Sequence, residues 1–240
     1  MLAFDRKASS YHDNSHVQSD SADWLAEWLP GHPSTGRCYE FGAGSGNLTR
    51  HLVSRFSHVQ ATDIAPSMVA EGQRRYSSAQ WTVCDAWTPP PLRGPAWDFI
   101  TSSSLLQWTP NPKQVLTCWA DLLHPQGRIL CGIYVRPSLP ELGSLLPDDR
   151  QFRWLNSTNW VSAFADSGLK VLRHETLTRK YIYPSPLKLM RRLHDTGVVL
   201  SNQPLPIGAM KSIMRQYAKQ FSQADGICAT WTTLRIEATR

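Results

Sequence analysis

The 240-residue sequence contains no run approaching the roughly 18 consecutive apolar residues that a membrane-spanning helix needs, so no membrane span is expected. Cysteine is scarce. The five residues Cys38, Cys84, Cys118, Cys131 and Cys228 are odd in number, far apart and never in a C-x-x-C pair. This excludes a disulfide framework and a zinc site and suits a reducing compartment. The eight histidines fall in no triad or metal spacing, so no metal is expected. There is neither an internal repeat nor a low-complexity tract. At the start, Asp5, Arg6 and Lys7 stand where a signal peptide needs an apolar core, so secretion is not expected and a cytoplasmic location is. With 41% hydrophobic and 18% charged residues, the chain reads as one well-buried domain over 1–240.

The charge that is present is unevenly placed. Residues 170–220 hold ten Lys or Arg against Glu175 and Asp195, a net of +8, while the rest of the chain sums to −2. Such a segment is either a solvated helical face or the footprint of an anionic partner. No KH, RRM or zinc-finger pattern accompanies it, so nucleic acid is not expected and an acidic protein partner stays open.

Apolar residues at Val17, Ala22, Trp24, Leu25, Trp28 and Leu29 predict an amphipathic helix over 16–29, with Trp24 and Trp28 as core packing. Strands are expected at RCYEF, SHVQATDI, AQWTVCDA, WDFITSSS and GRILCGIYV, alternating with helices at NLTRHLVSRF, PSMVAEGQRRY and NPKQVLTCWADLLH. That alternation predicts an α/β doubly wound sheet. A further helix, STNWVSAFADSG with Gly168 at its end, leads into the long strand LKVLRHETLTRKYIY. Two helices, SPLKLMRRLHDTG and IGAMKSIMRQYAKQF, then interrupt a strand pair closed by GICATWTTLRIEAT. Residues 184–224 therefore read as a helical insertion above the carboxyl edge of the sheet. Lys188, Arg191 and Arg192, three or four apart, are expected to share one face of its first helix.

The run Glu40-Phe41-Gly42-Ala43-Gly44-Ser45-Gly46 ends the first expected strand and opens a helix, where glycines let backbone approach a ligand. Asp63 ends the second strand, twenty-one residues after Gly42, placed to bond both hydroxyls of a ribose. Asp85, followed by Ala86, ends the third and can meet an adenine amino group. Glu40 suits an ammonium group, directly or through water. A dinucleotide fingerprint would need Gly or Ala where Asn47 stands. S-adenosylmethionine, which has an ammonium, a ribose and an adenine but no phosphate, matches Glu40, Asp63 and Asp85 in turn. Ile64, Ser102 and Gln18 complete the expected cofactor contacts. No catalytic base presents itself, and the Asn-Pro-Pro-Tyr motif of amide and base methylation is absent. A carboxylate, already ionised at neutral pH, is an acceptor that needs no base.

Several stretches resemble the malonyl-acyl-carrier-protein O-methyltransferases of biotin synthesis, the BioC family. Phe4 to Tyr11 with Val17-Gln18 is similar to its F-x-x-x-A-x-x-Y and V/L-Q opening. Ser103 to Trp108 matches its S-x-x-x-Q-W stretch, and Ser138-Leu139-Pro140-Glu141-Leu142 its S-L-x-E-L stretch. Phe152-Arg153-Trp154-Leu155 resembles an Arg-Phe region, Leu189 to Gly197 an M/L-R-x-L-K-x-x-G helix, and Ala229-Thr230-Trp231 the L-T-Y of the last strand. His194 departs from the family's Lys, Trp231 from its Tyr, and Val198 from its Ala. The resemblance implies a class I (Rossmann-like) methyltransferase sheet with an antiparallel final strand. It implies methylation of the free carboxyl of malonyl on acyl carrier protein, yielding S-adenosylhomocysteine. Acyl carrier proteins are acidic, which gives the +8 segment a partner, with Lys188, Arg191 and Arg192 as docking candidates. Arg153 is the candidate clamp for the malonyl carboxylate, or else a surface ion-pair member. Tyr11 and Gln18, on an N-terminal lid over 1–30, either close over the methyl donor or pack for stability. Trp108 either walls the pocket or belongs to the core.

Overall fold

Five strands pair in parallel: β1 (Ser34–Phe41), β2 (Phe56–Asp63), β3 (Gln80–Val83), β4 (Trp97–Ser103) and β5 (Leu123–Tyr134). The computed structural model describes residues 15–31, 34–91, 96–150, 152–196, 198 and 205–240. Two long strands, β6 (Lys170–Tyr183) and β8 (Gly226–Thr239), join antiparallel, and the short β7 (Ser222–Gln223) hangs on β8. The order β3-β2-β1-β4-β5-β8-β6 puts β1 at the point where the winding reverses, the crevice where open α/β sheets bind ligands. The expected doubly wound sheet with its antiparallel final strand is what forms.

Helix α1 (His16–Ala26) buries Val17, Gln18, Ser21, Ala22, Trp24 and Leu25 along one side. Gly132 of β5 lets Leu25 sit close, since a Cβ there would lie 3.3 Å from its methyl. Trp24 and Trp28 do more than pack. Both rings lie 4.2 Å from the Arg235 guanidinium of β8, which also donates to the Trp24 carbonyl and to Glu27 and Glu175. The arginine is buried, and this cage fixes the end of α1 to the sheet.

After β1 the regular helix is only α2 (Thr49–Leu52), shorter than the expected 47–56. Three-residue closures at Leu48/His51 and Leu52/Arg55 tighten its ends, and the Ser54 hydroxyl takes the His51 carbonyl. Helix α3 (Pro66–Arg75) starts on proline, and its Gly72 makes room for the Trp81 indole. Asn111 caps α4 (Pro112–Asp121) by accepting from Gln114 N, and Asn156 caps α6 (Ser157–Asp166) through Asn159 N. Between them lies an unforeseen turn of helix, α5 (Pro140–Gly143). Gly168, at φ +81°, ends α6.

The insertion between β6 and β8 holds α7 (Pro186–Asp195) and α8 (Ile207–Phe221). Leu189 and Leu193 of α7 and Ile213 and Tyr217 of α8 pack with Tyr134, Leu142, Trp154 and Trp231 as one buried cluster. The family-like stretches meet in it. Ser138 Oγ donates to the Thr232 carbonyl and accepts from Thr232 N, both at 2.9 Å, and Glu141 accepts from the Thr230 amide and hydroxyl. The basic segment is not one surface. Strand β6 is the sheet edge and is largely exposed, so Lys170, Arg173, Arg179 and Lys180 are charges that guard an open edge. Arg173 is further occupied by Glu237 at 2.6 Å and the Trp28 ring at 4.1 Å.

Candidate active site

At the carboxyl ends of β1 to β5 lies a cavity of about 260 Å³. Its floor is the glycine loop. Gly42 takes φ +64°, and a Cβ there would lie 2.8 Å from Leu105, a fellow wall residue, so backbone is all that fits. Asp63 braces this loop: its Oδ2 accepts from Gly44 N and its Oδ1 from Ala65 N, each at 2.9 Å. Each carboxylate oxygen can accept more than one hydrogen bond. Asp85 is held likewise by Trp87 N at 2.9 Å and Thr88 Oγ1 at 3.3 Å. Ile64, Met68 and Ala86 supply apolar wall between the two acids.

The other half comes from β4, β5, α1 and the end of α7. Ser104 follows β4 with φ +59°, a left-handed conformation that costs a non-glycine residue about 1–3 kcal/mol. Its amide donates to the Gly132 carbonyl at 2.8 Å, holding the turn. Gln107 donates to the Ser104 carbonyl at 2.7 Å, and among the described residues neither its buried Oε1 nor the buried Ser103 Oγ has a partner. Such orphaned groups in a cavity wall call for ligand atoms. Tyr134, also on the wall, has its hydroxyl against Ser21 Oγ at 3.3 Å. Burial pushes its phenol up to about 12, so it is a neutral donor and not a base. Thr196 and Val198 close the wall from the insertion.

Of the residues expected from sequence, Gln18, Gly42, Gly44, Asp63, Ile64, Asp85, Ala86 and Trp108 are brought together on this wall. Glu40 is not on it. Its buried carboxyl accepts from Thr49 Oγ1 at 2.6 Å behind the glycine loop, and burial, then the Asp63 charge, push it up to about 8. Gly46 supports the loop from below, against the Tyr76 ring. Ser102 is buried beside Cys131, 3.6 Å from its sulfur, and is not a wall residue. Arg153 is exposed and off the wall, although its neighbour Trp154 is buried edge-on to Trp108 at 5.5 Å. Tyr11 lies outside the described residues. Lys188 and Arg191 point outward, whereas the half-buried Arg192 turns towards α1, where burial and then its charge lower the His16 pKa. Sequence reasoning did not assign Met68, Cys84, Ser103, Ser104, Gln107 or Tyr134 to the site; Ser103, Ser104 and Gln107 stood inside the S-x-x-x-Q-W stretch, and the others carried no signal. Among the described residues no group of three His, Cys, Asp or Glu is placed to hold a metal, and no helix is long and apolar enough to cross a membrane.

Comparison with known proteins agrees with this geometry. Residues 39–129 match the family model described as a methyltransferase domain. A putative methyltransferase from Bacillus halodurans superposes with a TM-score of 0.65 at 12% identity, over 92% of this chain and 98% of that one. Several curated relatives are named malonyl-[acyl-carrier protein] O-methyltransferase. That of Paenibacillus sp. (strain JDR-2) is 25% identical over 98% of this chain and 96% of its own length. A trans-aconitate 2-methyltransferase from Mycobacterium ulcerans is 34% identical, but over only 38% of this chain and 34% of its own. The fold and the glycine-loop crevice define a class I methyltransferase that depends on S-adenosylmethionine. Within that class, its near-full-length similarity is to enzymes named malonyl-[acyl-carrier protein] O-methyltransferase.

Proposed function

We propose that this enzyme methylates the free carboxylate of malonyl carried on acyl carrier protein, giving a methyl ester for the pimeloyl branch of biotin synthesis. One observation carries the reading. The ionisable side chains of the described wall are Asp63, Asp85, Cys84 and Tyr134. The two acids are engaged with backbone amides, and burial raises the Cys84 thiol and the Tyr134 phenol. A carboxylate acceptor, already ionised at neutral pH, needs no base from this wall.

The residues present fit S-adenosylmethionine. Asp63 would take the ribose hydroxyls and Asp85 with Ala86 the adenine edge, over Ile64 and the backbone of Gly42 and Gly44. Glu40 would act on the ammonium from behind the loop, through water. When bound, the cofactor supplies an electrophilic methyl group on a sulfonium, which a carboxylate oxygen accepts. Uniting a cation and an anion neutralises charge, so a dry, aligned pocket speeds the transfer. Trp108 and Tyr134 exclude water on the acceptor side, and Gln18 does so from α1. Arg153, beside the Trp154 that touches Trp108, would reach the acceptor carboxylate from the rim, and Tyr11 would close the lid over 1–30. Lys188, Arg191 and Arg192 would attract the acidic carrier.

A small-acid carboxyl methyltransferase is the second reading, favoured by the partial match to a trans-aconitate enzyme. Labelled S-adenosylmethionine offered with malonyl-acyl carrier protein, acetyl-acyl carrier protein and trans-aconitate separates the two. Label on the malonyl carrier alone is the expected result. Label on trans-aconitate with none on the carrier would replace the first reading by the second.

A further inference from the structure

The two helices of the insertion leave an open groove that shares no lining residue with the cavity. It is bounded by Ser185, Pro186 and Leu187 at the start of α7 and by Lys211, Met214, Arg215 and Ala218 on α8. Leu187 is 46% exposed, and Ile207, one turn before Lys211 on the same side of α8, is 76% exposed. Both are large apolar side chains left in water beside cations, on helices that bury Leu189 and Leu193 (α7) and Ile213 and Tyr217 (α8) against the core.

The charge around the groove has one sign. Helix α8 contains no acid, and α7 has none before its last residue, Asp195. Lys188, Arg191, Lys211, Arg215 and Lys219 are all exposed on the two helices. Lys211 and Arg215, four apart, stand on the same side of α8 as the groove. An apolar strip rimmed by cations is complementary to an amphipathic helix with an apolar stripe and flanking carboxylates.

We propose that this groove, and not the outward face of α7, seats an acidic amphipathic helix of the carrier protein, with its apolar stripe on Leu187 and Met214 and its carboxylates at Lys211 and Arg215. This rests on the carrier-borne substrate argued above and adds where the carrier docks. The fold connects the two places. Leu187 at one end of α7 edges the groove, and Thr196 just past its other end lines the cavity. At about 1.5 Å per residue, roughly 14 Å of helix separates them. A carrier seated in the groove therefore presents its acyl group on an extended arm running along α7.

The test uses the full-length enzyme with two readouts, binding of fluorescently labelled carrier protein and methyl transfer to malonyl-coenzyme A, which has no carrier. The variants are Lys211→Glu/Arg215→Glu and, separately, Leu187→Gln. The charge-matched control is Lys113→Glu/Lys170→Glu, at exposed positions on α4 and β6. Each groove variant should weaken carrier binding by at least about tenfold, with transfer to malonyl-coenzyme A within about twofold of wild type. Carrier binding by the groove variants equal to that of the control overturns the groove and leaves the proposed reaction standing. Wild-type enzyme that methylates malonyl-coenzyme A but does not bind carrier also overturns the groove. Wild-type enzyme that does neither removes the reaction and the groove together.

Discussion

Asp63 and Glu40 show how two acids packed against one glycine loop acquire different behaviour. Asp63 accepts two backbone amides and faces the cavity, whereas Glu40 is sealed behind the loop with one hydroxyl donor. Asp63→Ala removes the brace of Gly44 as well as a ligand contact, so cofactor Kd, read by calorimetry, should rise by at least about tenfold. Glu40 predicts a pH effect. Its folded pKa of about 8 exceeds the ordinary 4.5, so its contribution to stability is present below pH 4.5 and is lost as pH rises to 8. Cofactor-free wild type should therefore lose Tm across that interval more steeply than Glu40→Gln, as differential scanning fluorimetry would report. A flat wild-type profile would contradict the buried, raised carboxyl. At this scale the sequence announced residues that hold backbone in place or end a strand, such as Gly42, Asp63 and Asp85. It was silent on Tyr134, which reaches the cavity beside Ser103 because β4 and β5 end side by side.

At the scale of elements, helices and strands were legible wherever proline, glycine or an asparagine cap punctuated an apolar pattern, as at Pro66, Asn111 and Gly168. The helix after β1 was overestimated because its apolar spacing continued past Ser54, while the backbone there closed in tighter turns. Helix α5 was missed because a four-residue helix has too few positions to show a period. What fixes it is long-range: Glu141 reaches across to Thr230 on β8. Glu141→Ala leaves the buried-side amide of Thr230 without its acceptor, a loss of about 1–3 kcal/mol. The expected result is a Tm lower by several degrees with the glycine-loop half of the site intact, so cofactor Kd should hold while Tm falls.

For the whole molecule, net charge was a poor guide until the structure divided it. Four of the ten basic residues lie on the edge strand β6, one of them tied to Glu237, and six lie on the α7 and α8 helices. Transfer to the carrier substrate should therefore fall steeply between about 50 mM and 200 mM salt, while transfer to malonyl-coenzyme A changes less, because screening acts on the exposed helical cations. Equal salt slopes for both substrates would remove electrostatics from partner choice. Sequence could give the sum of charges and the order of elements, but not which cations end up on a common surface.

The register of β6 on β8 runs unbroken from Arg173 against Glu237 to Tyr183 against Ile227, and the two helices leave and re-enter the sheet at that one end. The insertion is thus spliced into a single hairpin, and the strand order does not depend on its length, although its Thr196 and Val198 close the cavity wall. Evolution, or a protein engineer, can exchange that cassette for another, provided the replacement again covers Trp154 and Trp231, which would otherwise be stripped bare. A graft of this kind would move the choice of partner from one enzyme to another and leave the methyl-transfer chassis where it was.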